Sequence, residues 1–440
     1  MNKVVVTGIG AVSPLGDSFY ESWEAAKAGL SGIIPITRFD VSDAKWKVAG
    51  ELKGFDAGKY LSKKEINRLD PFVHYAVAAA VMAAGDAGLI KQKYEVGSKQ
   101  TNPPSPPFAK GEKERIINSS LFTLHPLLSS AGVIIGSSRG GISTIEKELQ
   151  KIYSPHITRH IPRTSAYLMP STTISMASSY VAQKLGMKGH CLGVSNACAS
   201  GTSAIGEAYR LIRSGYNGPV LCGGAEAPIC RICFEGYGSS GALSNLNDYS
   251  ASRPFDRTRD GFVLSEGACI FVLEDYASAL KRGARIYGEV KGYGNTADAF
   301  HQTIPDPEGE ARAIKAAIDE AGLRPEDIDF INAHGTSTIL GDKAETEAIK
   351  LLFGKKAYHI PVTSIKSLTG HMLAASGPLE AAFTLMSMNE GIIPPTINLK
   401  ERDPECDLDY VTQLRKAEIK FAISNSFGFG GVNAVLVFRT

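Results

Sequence analysis

Short, uninterrupted apolar runs alternate with helical patterns along this chain of 440 residues. Such runs are typical of strands that are buried on both faces and joined by covering helices. The alternation therefore predicts an α/β protein built on a buried, largely parallel sheet. The predicted strands include residues 4–8, 132–136, 190–194, 219–224, 268–273, 288–292 and 434–438, and the predicted helices include 18–28, 71–87, 202–212, 276–282, 308–321 and 373–388.

The second part of the chain repeats the order of elements found in the first. Each part ends on an apolar strand, and each carries a strand–turn–helix unit with reactive side chains, at Cys198 and at residues 366–371. The repetition indicates a duplicated α/β unit with halves at residues 1–283 and 284–440. A chain of this length accommodates one large domain or two fused ones.

Composition excludes several classes of protein. Hydrophobic residues make up 43% and charged residues 21%, which is typical of soluble globular proteins. The net charge of +2 suggests no nucleic-acid partner, no apolar run approaches the ~20 residues of a membrane span, and the first residues show no secretory signal. Seven scattered cysteines fit a reduced, cytoplasmic protein better than a disulfide scaffold.

Cys198 lies among small residues between a predicted strand and a predicted helix. At such a turn the thiol faces the amino-terminal end of the helix, where the peptide dipoles favour thiolate over thiol. Small neighbours leave room for a bulky substrate to reach the sulfur. These features are typical of a nucleophile, although most buried cysteines are inert.

Two histidines lie in loops of matching character. His334 ends a predicted strand and precedes a glycine and several hydroxyls, and His371 follows Lys366 in a loop that leads into a helix. Residues 425–433 form a Gly-rich stretch whose glycines permit positive φ and close backbone approach to a ligand. Because strand ends converge in α/β folds, we expect these groups and Cys198 to share one site.

The chain resembles the β-ketoacyl-acyl-carrier-protein synthases of the Cys-His-His type, and most closely the elongating synthase II. The motifs that carry the resemblance are residues 4–16, 196–201, 252–268, 332–338, 364–371 and 425–433. The resemblance covers nearly the whole chain and implies a thiolase fold, with duplicated α/β halves in a layered αβαβα arrangement. A thiolase would carry a second cysteine at the position of His371, and the initiating synthase III an asparagine.

The resemblance implies a decarboxylative Claisen condensation in fatty acid elongation. An acyl group moves from acyl-carrier protein to Cys198, malonyl-acyl-carrier protein loses CO2, and the resulting carbanion attacks the thioester to give 3-oxoacyl-acyl-carrier protein. No cofactor or metal is implied, since phosphopantetheine arrives on the carrier protein. The implied assembly is a cytoplasmic homodimer that binds acyl- and malonyl-carrier protein, without nucleic acid or membrane.

The same resemblance assigns roles at the reaction centre. His334 and His371 are expected to donate hydrogen bonds to the malonyl thioester and stabilise its enolate. Lys366 is expected to organise the charge around His371, and a structural salt-bridged lysine is the alternative. Glu380 is expected behind this cluster as an ionic or structural partner.

Further roles concern the rim of the site. The backbone amides of Cys198 and Phe429 are the implied oxyanion hole. Phe427 and Phe429, between flexible glycines, are the implied gate, and ordinary core packing is the alternative for both rings.

Substrate delivery is assigned to more exposed residues. Thr303, Thr336 and Thr338 are expected to hydrogen-bond a pantetheine amide, unless they are ordinary turn hydroxyls. Lys64 and Arg68 are expected to dock the acidic carrier protein, and a solvated charged face is the alternative.

Position 139 departs from the family pattern. Relatives carry a small or aliphatic residue in this loop, which faces the acyl pocket near the dimer interface, whereas this chain carries Arg139. An arginine in an apolar tunnel is costly unless it is paired. We expect Arg139 either to turn toward an acidic residue in the dimer interface or to make the pocket shorter or more polar.

Residues 91–130 also depart from the pattern. Four prolines within residues 103–107 exclude a helix or a central strand there. Relatives have a short loop at this point, so an insertion at about residues 92–130 is expected. A surface loop that is dispensable for chemistry is the prediction, and a partner-docking segment is the alternative.

Three other functions remain compatible with parts of this sequence. A ketosynthase subunit of a dissociated polyketide system or a specialised lipid pathway would share every motif. A non-catalytic chain-length factor would lack Cys198. A cysteine hydrolase would need a single histidine and would release free fatty acid.

Overall fold

A computed structural model describes residues 2–92, 122–153 and 164–440. Within these residues ten strands form one sheet in the order β8-β7-β9-β10-β6-β1-β5-β4-β2-β3. The strands are β1 Val4–Val12, β2 Gly132–Gly136, β3 Cys191–Val194, β4 Val220–Glu226, β5 Gly267–Asp275, β6 Gly288–Ala297, β7 Phe330–Asn332, β8 Val362–Thr363, β9 Phe421–Gly428 and β10 Val432–Arg439. Three short pairs lie outside this sheet: Ile34–Pro35 with Val48–Ala49, Ile90–Gln92 with Phe122–Leu124, and Ile392–Ile393 with Arg415–Lys416.

Thirteen α-helices occur in the same described residues. They are α1 Phe19–Lys27, α2 Lys63–Ile66, α3 Pro71–Asp86, α4 Ile142–Ile152, α5 Leu168–Thr172, α6 Met176–Leu185, α7 Ser200–Arg213, α8 Arg231–Ser239, α9 Tyr276–Lys281, α10 Pro307–Glu320, α11 Ile339–Phe353, α12 Lys366–Thr369 and α13 Ser376–Glu390. Short 3-10 turns cover Ala57–Lys59, Pro126–Ser130, Pro325–Asp327, Gly354–His359 and Leu373–Ala375. No helix in the described ranges has both the length and the apolar character that crossing a membrane requires.

The strand order repeats within the sheet. The order β3-β2-β4-β5-β1 in one half corresponds to β8-β7-β9-β10-β6 in the other, and β1 joins β6 in an antiparallel pair. In both halves the first two pairings of this order are parallel and the last two are antiparallel. The repetition confirms a duplicated α/β fold, while the exact division at residues 283/284 stays a prediction.

The expectation of a largely parallel sheet was wrong. Five of the nine pairings between the ten strands are antiparallel. Strands such as β5 and β10 are almost completely buried, so they read as continuous apolar runs whichever way their neighbours point. The apolar pattern indicates that a strand is buried on both faces, but it does not indicate whether the strand is parallel or antiparallel to its neighbours.

Helices cover both faces of the two half-sheets. Helix α3 packs on β1, β4 and β5, and α10 packs on β6 and β10. Between the halves, α7 and α13 pack on each other and contact strands of both. These layers form the αβαβα arrangement that the resemblance implies.

Helices α3 and α10 approach the sheet closely in the same way. A Cβ added at Gly10 of β1 would collide with the carbonyl oxygen of Ala79 in α3. A Cβ added at Gly294 of β6 would collide with the carbonyl oxygen of Ala313 in α10. Glycine in the strand and alanine in the helix therefore allow close contact at matching places in both halves.

Most predicted elements lie within a few residues of those observed, and one differs in kind. The helix predicted over residues 373–388 is divided into the 3-10 turn Leu373–Ala375 and α13, which begins at Ser376. Leu373 has a φ of 48°, which no regular helix contains. This break begins two residues after His371.

The predicted insertion falls largely on residues 93–121, outside the described residues. Its ends are described: Gln92 lies opposite Phe122 in an antiparallel pair, and Pro126–Ser130 forms a 3-10 turn. Residues 122–130 therefore include a strand and a 3-10 turn, and the extent of the insertion stays a prediction. The sequence did not predict the strand Phe122–Leu124, which has only three residues.

Trimming residues 98–118 to a short Gly-Ser linker should preserve folding and turnover. Since Gln92 and Phe122 are paired, shortening the connection changes its closure free energy by only about 1 kcal/mol. Thermal unfolding should shift by no more than about 5 °C. Retained folding with lost activity would instead assign a docking role to the segment.

Candidate active site

The turn between β3 and α7 presents Cys198. Ala197, just before it, has a φ of 46°, a left-handed conformation that costs a non-glycine residue about 1 kcal/mol or more. Ser200 holds this turn, since its hydroxyl accepts a hydrogen bond from the Asn196 amide (2.8 Å) and donates to the Ala197 carbonyl (2.6 Å). Hydrogen bonds within residues 196–200 therefore hold the strained turn in place.

The Cys198 thiol has two nearby partners. Nε2 of His371 lies 3.1 Å from its Sγ, and the backbone amide of Phe429 points at the same sulfur. Burial raises the pKa of the thiol to about 11, although the charges of Lys366 and Arg139 oppose the shift. This upward shift of the pKa favours the neutral thiol, whereas the helix dipole favours the thiolate that was expected.

The neighbours of His371 determine which nitrogen carries its proton. Its Nδ1 lies 3.2 Å from Oγ of Ser376, and that oxygen accepts a hydrogen bond from the Met372 amide at 2.8 Å. Since Nδ1 is the only acceptor for the Ser376 hydroxyl proton among the described residues, this arrangement favours the ring proton on Nε2. His371 therefore offers an N–H donor beside the sulfur.

Lys366 determines the tautomer of His334 in a similar way. Its Nζ lies 3.2 Å from Nδ1 of His334, and because an ammonium group only donates, Nδ1 accepts and Nε2 carries the proton. The same Nζ donates to the His334 carbonyl at 2.6 Å and to Oε1 of Glu380 at 2.5 Å. Lys366 was expected to organise His371, but its direct contact is with His334, and only its charge reaches His371.

Both imidazoles are neutral. Burial lowers the pKa of His334 and His371 well below the usual value, and the charge of Lys366 lowers both further. Burial raises the pKa of Glu380 to about 7, against the opposing effect of Lys366. The two rings are nearly perpendicular, with centroids 5.4 Å apart, so two neutral N–H donors share one small space.

A buried carboxylate that sequence reasoning missed supports this pair. Glu345 of α11 accepts hydrogen bonds from the His334 amide (2.8 Å), the Gly335 amide (2.7 Å) and the Asn425 side chain (3.0 Å). It fixes the His334 loop against the Gly-rich stretch. The sequence did contain a signal for Glu345, because an acidic residue on the buried face of a helix is rare unless it has a partner.

The two phenylalanines of the Gly-rich stretch differ in position. Phe427 is buried and packs edge-on against His334, with centroids 5.9 Å apart. Phe429 is 36% exposed and precedes Gly430 and Gly431, whose φ values are 89° and 68°. Exposure and the neighbouring glycines make Phe429 the more suitable of the two for the predicted gate, whereas Phe427 packs against His334.

A cavity of about 340 Å³ connects these groups to the surface. Its lining includes Cys198, His334, His371, Thr303, Thr336, Thr338, Tyr237 and Phe429. The hydroxyls of Thr336 and Thr338 lie 3.0 Å apart, and Thr338 also caps α11 by accepting from the Gly341 amide. Thr303 is exposed at the rim. The three predicted threonines therefore line one cavity.

The two predicted docking residues lie apart from the lining of this cavity. Lys64 is exposed on α2, and Arg68 is half-buried just beyond it. The guanidinium of Arg68 lies 4.3 Å from the ring centroid of Tyr167, an arrangement that is typical of a cation–π contact.

Within this chain Arg139 contacts Tyr237, and its expected pairing with an acidic residue in a dimer interface stays a prediction. Its Nε donates to the Tyr237 hydroxyl at 2.8 Å, and its amide donates to Glu226 at 3.0 Å. In the described part of the chain no carboxylate pairs with its guanidinium. Sequence reasoning missed both Tyr237 and Glu226, although an acidic residue at the end of the apolar strand β4 was a detectable signal.

Family comparisons agree with this geometry. The beta-ketoacyl synthase N-terminal domain model matches residues 1–101 and 114–279, and the C-terminal domain model matches residues 287–400. The chain belongs to the β-ketoacyl synthase family. The N-terminal match omits residues 102–113, which include the proline cluster.

Individual members of the β-ketoacyl synthase family match over nearly their full length. A 3-oxoacyl-acyl-carrier-protein synthase 2 of Synechocystis is 43% identical over 442 residues, which cover 99% of this chain and 98% of that protein. The ishigamide ketosynthase/chain length factor has a TM-score of 0.86 at 35% identity, and covers 100% and 99%. A ketosynthase structure solved with its type II polyketide acyl-carrier protein has a TM-score of 0.84 at 30% identity, with the same coverage.

Proposed function

We propose that this β-ketoacyl synthase is an acyltransferase that elongates fatty acyl chains on acyl-carrier protein. It transfers an acyl group to Cys198 and condenses it with malonyl-acyl-carrier protein, releasing CO2 and 3-oxoacyl-acyl-carrier protein. The observation that carries the proposal is the convergence of one thiol and two neutral imidazoles, with Nε2 of His371 at 3.1 Å from Sγ. The identity of 43% to a synthase 2 supports the elongating activity.

The first half-reaction requires the Cys198 sulfur as a nucleophile. The thiol has a pKa of about 11, so the rare thiolate is stabilised by the N–H of His371 and the amide of Phe429. The sulfur attacks the acyl thioester carbonyl, and the amides of Cys198 and Phe429 are the proposed donors to the oxyanion. Collapse expels the pantetheine thiolate, which takes the proton that Cys198 loses.

The second half-reaction requires a carbanion at neutral pH. The malonyl carboxylate leaves as CO2, and its bonding electrons form an enolate on the thioester. Two N–H donors, on His334 and His371, stabilise the enolate oxygen, and each such donor is worth about 3 kcal/mol. The enolate carbon attacks the acyl-Cys198 carbonyl, and the Cys198 thiolate departs and takes a proton from water. No step requires a resident cofactor or metal.

A condensation assay tests this proposal. The purified protein receives octanoyl- and malonyl-acyl-carrier protein, and mass spectrometry follows the acyl groups on Cys198 and on the carrier. The expected product is the 3-oxoacyl-carrier protein that is longer by two carbons. Release of free octanoate without condensation would identify a hydrolase, and condensation only with an added second subunit would identify a polyketide-type ketosynthase.

The polyketide function is a second candidate because its solved relatives match closely. Both structures compared above cover the whole chain, with TM-scores of 0.86 and 0.84. The higher identity to the synthase 2 favours fatty acid elongation. Cys198 and its histidine partner argue against a non-catalytic chain-length factor.

The proposed partners are acyl-carrier protein and a second copy of this chain. The exposed edge strand β3, in which Leu192 is 40% exposed, supports homodimer formation through this edge. All seven cysteines are free, which supports the proposed cytoplasmic location.

Reversing the charges of Lys64 and Arg68 to Glu should weaken carrier-protein docking. Each surface ion pair contributes about 0.5 kcal/mol, so we expect KM for acyl-carrier protein to rise about five- to tenfold with kcat nearly unchanged. The matched control is Lys420→Glu, which changes an exposed lysine whose ammonium lies over the ring of its neighbour Phe421. An unchanged KM in the double variant would exclude this docking surface.

The pH profile of CO2 release should lack a histidine limb near pH 6.5. A lowered folded-state pKa keeps each imidazole neutral until the pH falls well below its usual value, so activity should be constant from about pH 8 to about pH 6. Lys366→Met removes the charge that helps lower both pKa values, so the acid limb of this variant should lie at a higher pH than that of the wild-type protein. Identical pH profiles for the wild-type protein and the Lys366→Met variant would contradict an effect of the Lys366 charge on the two histidines.

A further inference from the structure

Glu310 lies in the first turn of α10 and lines the cavity that holds Cys198. This turn packs closely on the loop at Asp298, because a Cβ added at Gly309 would collide with Oδ1 of Asp298. The Asp306 amide also donates to Oδ2 of Asp298, at 3.2 Å. The start of α10 is therefore fixed against the cavity, with Glu310 in its lining.

The carboxyl group of Glu310 has an oxygen without a partner. Only 2% of this residue is exposed, and its Oε2 has no hydrogen-bond partner among the described residues. Burial raises the pKa of Glu310 well above the usual value, and the charges of Glu345 and Asp298 raise it further. The group is therefore a neutral carboxylic acid, which has one O–H to donate.

The neighbouring carboxylates are already hydrogen-bonded. Asp298 accepts from the Asn433 side chain at 2.6 Å and from the Asp306 amide. Glu345 accepts from the three N–H donors identified above. The described residues contain no group of three or more acidic, histidine or cysteine side chains that could hold a metal ion. Glu310 therefore faces the cavity as a hydrogen-bond donor rather than as a metal ligand.

Packing alone does not account for a carboxyl group at this position. A buried polar group without a partner destabilises the folded protein, and an apolar side chain of similar size would avoid that loss. The same cavity is lined by Thr303, Thr336 and Thr338 and reaches Cys198. The unpaired donor is therefore suited to an acceptor that enters this cavity with the substrate.

We propose that the carboxyl group of Glu310 donates a hydrogen bond to an amide carbonyl of the pantetheine arm that carries the acyl group. This inference rests on the proposed condensing function and adds a substrate-binding residue to the same site. The pantetheine part of the arm is uncharged and contains two amides, so every carrier-bound substrate brings these acceptors. A carboxylic acid that burial keeps neutral can donate to such an oxygen. Glu310 thereby positions the thioester for attack by Cys198.

Thioesters with and without amides test this contact. Octanoyl-pantetheine has two amides, octanoyl-N-acetylcysteamine keeps the one nearer the sulfur, and the octanoyl thioester of propanethiol has none. Mass spectrometry of Cys198 gives kcat/KM for acylation by each thioester. Glu310→Met should lower kcat/KM for octanoyl-pantetheine about five- to tenfold, and should leave that for the propanethiol thioester within about twofold of wild type. The result with octanoyl-N-acetylcysteamine identifies which carbonyl is bound.

Three further variants separate binding from structural effects. Glu310→Gln keeps an uncharged N–H donor of nearly the same shape, so it should retain about half or more of the wild-type kcat/KM. Glu308→Ala, which removes an exposed carboxylate two residues earlier, is the matched control and should change none of the values. Thermal unfolding of Glu310→Met should occur at the wild-type temperature or above it, because a buried unpaired group is lost. If Glu310→Met fails to fold, Glu310→Ala replaces it in the thioester comparison.

Three outcomes would overturn the inference. An unchanged kcat/KM for octanoyl-pantetheine in Glu310→Met would show that the carboxyl group contacts no part of the arm. An equal loss for all three thioesters, with a lower unfolding temperature, would make Glu310 a structural residue. A loss in Glu310→Gln as large as that in Glu310→Met would exclude a donor role. In each case the wild-type protein still condenses octanoyl- and malonyl-acyl-carrier protein, whereas failure of that condensation would overturn the proposed function itself.

Discussion

Cys198→Ala is expected to abolish condensation, by about 10⁴-fold or more, while the protein remains folded. The change removes one sulfur atom from a turn that Ser200 holds through its own hydrogen bonds. No other cysteine can replace it, because Cys198 alone lies beside the imidazole of His371. Product formation followed by mass spectrometry, with circular dichroism as the check of folding, measures the effect.

Cys191→Ala is the matched control for this experiment. Cys191 lies on β3, shortly before the nucleophile, and its side chain is exposed. Although β3 is the edge proposed for the homodimer, this change removes one sulfur atom and leaves the backbone of the edge intact, so the condensation rate should stay within about twofold of wild type. The assignment of Cys198 would be wrong if its alanine variant still elongated acyl chains, or if the trapped acyl group were found on another cysteine.

His334→Ala and His371→Ala should each lower CO2 release from malonyl-acyl-carrier protein by about 10²- to 10³-fold. Each change removes one of the two neutral N–H donors that are proposed to hold the enolate oxygen. His371→Ala should also slow acylation, since its Nε2 lies 3.1 Å from the sulfur. His334→Ala should affect acylation less, because its ring contacts Lys366 and Phe427 rather than the thiol.

Separate measurements of CO2 release and of acyl-Cys198 distinguish these effects. His359→Ala, which changes an exposed histidine at the end of the turn after α11, is the control and should behave like wild type. Near-normal CO2 release in both active-site variants would exclude the donor role. Equal losses of acylation in both active-site variants would mean that His334 and His371 contribute equally to that step.

Sequence reasoning located the fold class and the reaction centre because both depend on local patterns. The apolar runs marked the buried strands, and the small residues around Cys198 marked its turn. Direction within the sheet was not predictable, since a strand buried on both faces has the same composition in either orientation. The break at Leu373 was also missed, because its positive φ is imposed by the surrounding structure.

The contacts between distant segments were the least predictable part. Lys366 bonds His334, 32 residues earlier, rather than its sequence neighbour His371. The upward shift of the Cys198 pKa was also not predictable, because burial is a property of the whole fold. Tyr237 was missed since nothing in its own segment indicates that Arg139 lies against it.

The repeated strand order has a consequence for biosynthesis. Strand β1 lies near the centre of the sheet, between β5 and β6. It therefore has no pairing strand until residues 267–297 have been synthesised. Cys198 and His371 are likewise 173 residues apart. Pairings across such distances form late and leave apolar edges exposed during synthesis. A nascent chain that ends before His371 therefore carries Cys198 without its imidazole partner, and the site is complete only when both halves have been synthesised and have folded together.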